Sequence, residues 1–462
     1  MVFSSLIFLF VYLFFVLGIY YLLPRKWRNP FLLFANLIFY GWGEPVYVLL
    51  MAACTLINWF CGLMIGKRRE AGRAKVWLII SVVLSLGFLA VFKYTGFVAS
   101  ILQKLPWLTG LAVPVIPLPI GISFYTFQSM SYTIDVYRKE TDVQKNRVSF
   151  VTYVSLFPQL IAGPIVRYKD VAEQLDHRVE TLDTFSLGVR TFIVGLAKKV
   201  LIANQMGLLW EALKGGTAGW AGAWVGIFAY TMQIYFDFSG YSDMAVGLGR
   251  MFGFEFMENF RYPYIACSVT DFWRRWHISL STWFRDYLYI PLGGNRRGSA
   301  VQIRNLFIVW LLTGLWHGAS LNFVLWGLYY FLLLVLERFV LKNVLEKIPK
   351  FIRWPVTFFL IIMGWVLFAF PDFSQMLLFV KALFSFGAPA VTGDTGVKIL
   401  SYLPLLVIAF AAAMPFWKKA YEKCRGMRFF RYAETALIII AMLLCTAALV
   451  SQSYNPFLYY QF

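Results

Sequence analysis

Phe3–Leu23 reads FSSLIFLFVYLFFVLGIYYLL, a run of 21 residues without a charge. About 20 apolar residues cross the hydrocarbon core of a bilayer. A secretory signal has a basic start and a shorter apolar centre, whereas no basic residue precedes this run. The stretch therefore reads as a retained membrane segment. It stops at Pro24-Arg25-Lys26-Trp27-Arg28, and loops rich in Lys and Arg collect on the cytoplasmic side. That places the N-terminus outside.

The rest of the chain follows the same pattern. Of its 462 residues, 60% are hydrophobic and 14% charged, with 46 Phe and 17 Trp. Soluble domains carry about 25% charged residues. This much apolar surface calls for lipid as its solvent. The net charge of +19 sits in short runs between apolar segments, so it marks topology, and a nucleic-acid partner is not expected. Cys54, Cys61, Cys267, Cys424 and Cys445 form no CxxC pair and no metal-ligand spacing. They predict neither a disulfide framework nor a metal site.

Outward from the first run, Phe31–Gly66 is interrupted by Gly41-Trp42-Gly43-Glu44-Pro45, a breaker that allows a hairpin between two basic loops. Val76–Phe92 is a clear span. The apolar Pro114–Ile120 leads into a helix over Gly121–Tyr137, and Phe150–Val166 reads as broken or re-entrant because of Phe157-Pro158-Gln159 and Gly163-Pro164. Residues 167–185 read as a short surface segment. Further helical segments fall over Leu187–Leu209, Trp220–Leu248, Leu306–Leu336, Phe358–Phe370, Ile399–Phe416 and Ala433–Val450. The expected fold is an all-α polytopic membrane protein, a single domain over 1–462, with about nine to twelve membrane segments, some re-entrant or broken. Two late basic loops, around Arg338–Arg353 and Lys418–Arg431, place the C-terminus outside as well.

The chain has three histidines. His177, between Asp176 and Arg178, reads as a solvated surface residue. His317 lies in TGLWHGAS (313–320), inside a long apolar stretch, where an ionisable side chain is expensive and marks function unless it merely bonds a neighbouring helix. Basic residues at both ends of Leu306–Leu336 allow a bent hairpin with its tip at Gly318-Ala319-Ser320, or a single tilted span. His277 lies in DFWRRWHISLSTWFRDY (271–287), which is amphipathic when plotted as one helix at about 100° per residue. Phe272, Trp273, Trp276 and Trp283 share one side, Arg274 and Arg285 take the other, and His277 falls on the rim. An interfacial helix and a helix bordering a headgroup-level portal both fit. Asp237, in YFDFSGYSDMA (235–245), needs a partner inside an apolar span. Ser239, Ser242 or an Arg from 274–297 are the candidates, in a structural polar network or a site.

Taken together, these three motifs, with IGISFYTFQSMSYTIDVYR (120–138), FPQLIAGPIVR (157–167) and the closing PFLYYQF (456–462), resemble the membrane-bound O-acyltransferase superfamily, in its bacterial alginate O-acetyltransferase-like branch. The resemblance runs over most of the chain and centres on about 230–336. It implies a ring of tilted helices around a thin centre pierced by an acyl-transfer tunnel. The family's membrane histidine matches His317, and its second functional position, Asn in some members and His in the alginate-like ones, matches His277. The resemblance further implies an acyl thioester donor on the cytoplasmic side, acetyl-CoA above all, no bound cofactor, and an extracytoplasmic serine esterase-like partner acyltransferase.

The chemistry is compatible, since acyl transfer to a hydroxyl needs a base and neutral imidazole supplies one. His317 is the expected base, with acyl-histidine formation as the alternative. His277, Trp316 and Asn322 are candidate donors to the oxyanion. Trp276, Arg274, Arg285 and Asp237 are candidate supports. The expected function is O-acetylation of an extracytoplasmic polysaccharide such as alginate, from the bacterial inner membrane. A D-alanyl or other relay toward teichoic acid or peptidoglycan, and a non-catalytic transporter, are the competing readings. No DxD cluster in a basic loop favours a glycosyltransferase.

Overall fold

The computed structural model describes the chain except residues 70, 71, 111, 115, 162, 452, 453, 456 and 459–462, and the side chains of 428 and 431. Part of the closing 456–462 motif and residue 115 of the Pro114–Ile120 stretch lie outside the described residues. Every regular element among the described residues is helical. Among the described residues, seven helices are long and apolar enough to cross a membrane: Tyr47–Lys67, Ala74–Leu102, Ser299–His317, Leu321–Val340, Lys350–Ala369, Thr395–Ala412 and Tyr432–Ser451. Only 6% of Tyr432–Ser451 is buried inside the protein, so its apolar side chains require lipid. The first run is helical over Phe8–Leu22 and is shorter than these. The chain is an all-α multi-pass membrane protein.

It divides into two compact units, residues 1–192 with 242–257, and 193–241 with 258–462. In the first, the Gly41–Pro45 breaker separates Arg25–Gly41 from Tyr47–Lys67, as expected. The basic cluster is not a loop but the first turn of Arg25–Gly41. Ile122–Arg138 is buried along almost its whole length between neighbouring helices, which explains its many small polar residues. Asn58 ties it to the bundle: Ser81 donates to Asn58 at 2.6 Å, Asn58 donates to Ser85 at 2.9 Å, and Ser81 meets Thr133 at 2.7 Å. Such polar contacts hold helices together where lipid removes the hydrophobic drive. Phe150–Val166 is broken as expected: its helices are Arg147–Ser155 and the short Phe157–Leu160, and the described residues 163–166 are not helical. The surface segment expected at 167–185 contains regular structure. It carries an amphipathic helix, Tyr168–His177, that buries Tyr168, Val171 and Leu175 and leaves His177 exposed.

In the second unit, Ser299–His317 and Leu321–Val335 form a tight hairpin, the bent alternative of the two sequence readings. Its closeness comes from glycine. A Cβ on Gly314 would sit 2.3 Å from the carbonyl oxygen of Phe323, and one on Gly327 would sit 2.4 Å from that of Trp310. The two backbones therefore touch where a side chain would hold them apart. Lys350–Ala369 packs on this hairpin, and Phe373–Leu383, which the sequence reading did not mark, follows it.

A two-histidine cavity as candidate active site

His317 is the last residue of Ser299–His317, just before the turn at Gly318–Ser320. It is 4% exposed. Trp326 and Phe368 stand edge-on to its ring at centroid distances of 4.9 and 5.4 Å, with Trp316 at 5.0 Å. Trp326 and Phe368 come from the other arm of the hairpin and from Lys350–Ala369. These contacts clamp the imidazole at the hairpin tip.

The one continuous helix expected over 271–287 is not there. The chain runs as Val269–Arg275, breaks, and resumes as Ile278–Phe284. His277 occupies the break with φ 45° and ψ 56°, left-handed values that an L-residue holds at a cost of about 1–3 kcal/mol. The segment around Asn259 compensates. Ile278 N–H donates to the Asn259 carbonyl at 3.0 Å, and Arg261 N–H donates to the Arg275 carbonyl at 2.9 Å. His277 is therefore not a rim residue. It is 1% exposed, with Phe238 edge-on at 4.6 Å and Trp316 at 6.0 Å.

Hydrogen bonding then fixes its tautomer. Asn259 Oδ1 accepts from the Ser279 backbone N–H at 3.1 Å and from the Ser279 hydroxyl at 2.9 Å. The same oxygen lies 3.2 Å from His277 Nδ1. An oxygen that faces a backbone N–H is an acceptor, so Nδ1 carries the proton and, in the neutral ring, Nε2 carries the lone pair. Burial, aided by the neighbouring His317, holds His277 well below the ordinary imidazole range and therefore neutral.

Both histidines line one cavity of about 290 Å³. Trp276, Arg274 and Arg285 line it too, so five of the residues singled out from sequence converge there. Arg338, a topology marker in the sequence, lines the same cavity. Aromatic and aliphatic walls with a few guanidinium groups suit a ligand with an apolar reacting end and an anionic body. Trp316 is not on the wall, but lies against both imidazoles.

Two candidates are placed elsewhere. Asn322 donates to the carbonyl of Phe368 at 3.3 Å, supporting a ring that flanks His317 instead of reaching the cavity. Asp237 pairs with Lys199 at 2.6 Å and accepts from the Leu458 backbone N–H at 2.9 Å, both partners outside the expected set. The correction has a plain cause: the sequence does not show which face of which helix meets Asp237. Asn259 was missed altogether. A single Asn in FMENFRY gives no chemical signal until its neighbours in space are known.

Two buried imidazoles thus line one aromatic cavity of a helical membrane protein. Residues 138–380 match the model of the membrane-bound O-acyltransferase family. The chain is 42% identical, over the whole of both chains, to a Pseudomonas putida protein described as "Probable alginate O-acetylase AlgI". It is 34% identical to the peptidoglycan O-acetyltransferase of Helicobacter pylori, covering 81% of this chain and 78% of that one. It is 27% identical to the teichoic acid D-alanyltransferase of Bacillus subtilis, covering 51% and 61%. The chain belongs to the membrane-bound O-acyltransferase family.

Proposed function

We propose that this protein transfers an acetyl group from a thioester donor to hydroxyls of an extracytoplasmic polysaccharide of the alginate type. The observation that carries the reading is the shared cavity of His277 and His317. The full-length likeness to the alginate O-acetylases of several bacteria supports the acyl group and the polymer class. The proposed donor is acetyl-CoA, entering from the cytoplasmic face of a bacterial inner membrane, with both chain termini outside. The acetyl group passes either directly to the polymer or through a serine esterase-like partner acyltransferase outside the membrane.

In the proposed step, one imidazole takes the proton of the acceptor hydroxyl as its oxygen attacks the thioester carbonyl. The C–O bond forms, the C–S bond breaks, and the thiolate leaves with the proton. Nε2 of His277, unprotonated in this tautomer, suits an acceptor of protons more than a donor to the oxyanion. His317, held by three aromatic rings, is the partner base or the transient acyl carrier. Arg274, Arg285 and Arg338 suit the anionic part of the donor.

The test is mass spectrometry of cell-surface polymers from strains that differ only in His317→Ala, with protein abundance in the membrane matched. Loss of polymer acetylation supports the reading. Full acetylation with His317→Ala overturns it.

A further inference from the structure

A second cavity, of about 320 Å³, lies wholly within the first unit and has no part in the chemistry above. Its wall holds Arg25, Lys26, Arg28 and Arg178 against Asp176 and Glu180, four cations to two carboxylates, an excess of two positive charges. Glu180 is already engaged: Arg28 reaches it at 2.7 Å and the Tyr20 hydroxyl donates to it at 2.5 Å.

Arg178 is the unusual member. Its side chain is 6% exposed, its guanidinium is held on several sides, and its Nε also lies 3.6 Å from Glu180 Oε1. Nε donates to the Tyr20 hydroxyl at 2.8 Å, and Nη1 donates to Asn29 at 2.7 Å and to the Leu175 carbonyl at 3.0 Å. The plane lies 4.8 Å from the Phe254 ring centroid and 5.6 Å from that of Tyr20. The remaining nitrogen, Nη2, is buried without a hydrogen-bond partner. A buried guanidinium N–H left unsatisfied is expensive, and it is the mark of a donor waiting for an acceptor.

The surroundings tell what kind of acceptor. Arg25 and Lys26 are exposed on the rim, and neither forms an ion pair among the described residues. The helix Arg25–Gly41 opens at the cavity with no side-chain cap, so its positive end adds to the field. One fixed guanidinium, two exposed cations and a helix start offer donors in several directions. That matches a tetrahedral anion with several acceptor oxygens better than a planar carboxylate. The basic turn also directly follows the apolar helix Phe8–Leu22, the level at which phosphate groups lie in a bilayer.

We propose that this cavity binds a phosphate-bearing anion, presented by a phospholipid headgroup or by a soluble phosphoester. The proposal is independent of acyl transfer and can be tested in a protein that has no activity.

The experiment uses full-length protein purified in neutral detergent, with dioleoylphosphatidylglycerol and inorganic phosphate as separate probes. Binding is read by native mass spectrometry and by thermal shift. Arg25→Ala/Lys26→Ala removes exposed rim charges and leaves the probe-free melting temperature unchanged. Arg178→Lys keeps the charge and removes the fork. We expect binding to the wild type and loss of about tenfold or more in affinity in either variant, the scale of a charge-assisted hydrogen bond. Phosphatidylglycerol binding without phosphate binding assigns a lipid headgroup, and the reverse assigns a soluble ester. No binding of either probe, or equal binding by wild type and the rim variant, overturns the site. Should Arg178→Lys fail to fold, the rim variant still decides.

Discussion

Nδ1 of His277 lies 3.2 Å from Oδ1 of Asn259, and this contact determines which nitrogen of the neutral imidazole carries the proton. Asn259 also takes both hydrogen bonds of Ser279 and receives Ile278 N–H on its carbonyl. The side chain thus sets the tautomer and, with the backbone carbonyl of the same residue, braces the left-handed break. Asn259→Leu should lower kcat by about tenfold or more with little change in donor KM, because it misorients a group without removing a binding contact. Asn259→Ser, which keeps an acceptor, should recover part of the loss. A KM effect with kcat unchanged would show that Asn259 acts on binding instead.

The neutral state of His277 has a thermodynamic counterpart. Its folded pKa lies below the ordinary 6.5, so the unfolded chain binds a proton that the folded one refuses. Stability on this account is complete above about pH 6.5 and is lost as the pH falls below it. His277→Asn should flatten that part of the profile. Melting temperatures in detergent at about pH 5 and about pH 7.5 provide the check, and an unchanged slope in the variant excludes His277 as its source.

Lys199 and Asp237 form a buried pair, with side chains 3% and 2% exposed. Removing one partner leaves an uncompensated charge, costing about 3–5 kcal/mol. Lys199→Met and Asp237→Leu should each depress folded yield strongly, and the double variant should recover most of it. A fluorescence-detected size-exclusion profile of the four proteins closes the cycle.

The glycine contact in the hairpin that carries His317 is equally exposed to test. A Cβ on Gly327 would meet the carbonyl of Trp310, a backbone atom that cannot swing aside. Gly327→Val should cost about 1–3 kcal/mol and reduce activity by spreading the hairpin. Gly18 has open space around it, so Gly18→Ala serves as a neutral control.

Arg338 should matter to the donor more than to the chemistry. Arg338→Ala is expected to raise KM for the thioester about tenfold while leaving kcat largely intact, the signature of lost uniform binding. An equal fall in kcat and kcat/KM would instead place Arg338 in the transition state.

Much of this was legible in the sequence because membrane segments announce themselves by apolar length and basic flanks. The breaks at Gly41–Pro45 and Gly318–Ser320 were legible too, since glycine and proline act locally. His317 stood out because a titratable side chain in an apolar run has few cheap explanations. The break at His277 was hidden, because Trp276 and His277 carry no breaker signal. What bends the chain there is a set of hydrogen bonds from residues 259–261, which exist only after folding. Any helical wheel across 271–287 therefore placed His277 wrongly. Lys199, Asn259 and Arg338 escaped for the same reason: each acts through a neighbour far away in sequence.

The backbone contact at Gly314 and Gly327 also bears on how the enzyme spends its turnover. Two helices pressed together without intervening side chains form a stiff strut, and His317 stands at its end among interlocked rings. In the proposed function, a base held this way does not travel to meet its substrates. On that reading donor and acceptor each come to a point already fixed in space, and the orientational ordering of the imidazole is completed when the chain folds, not repeated in every catalytic cycle.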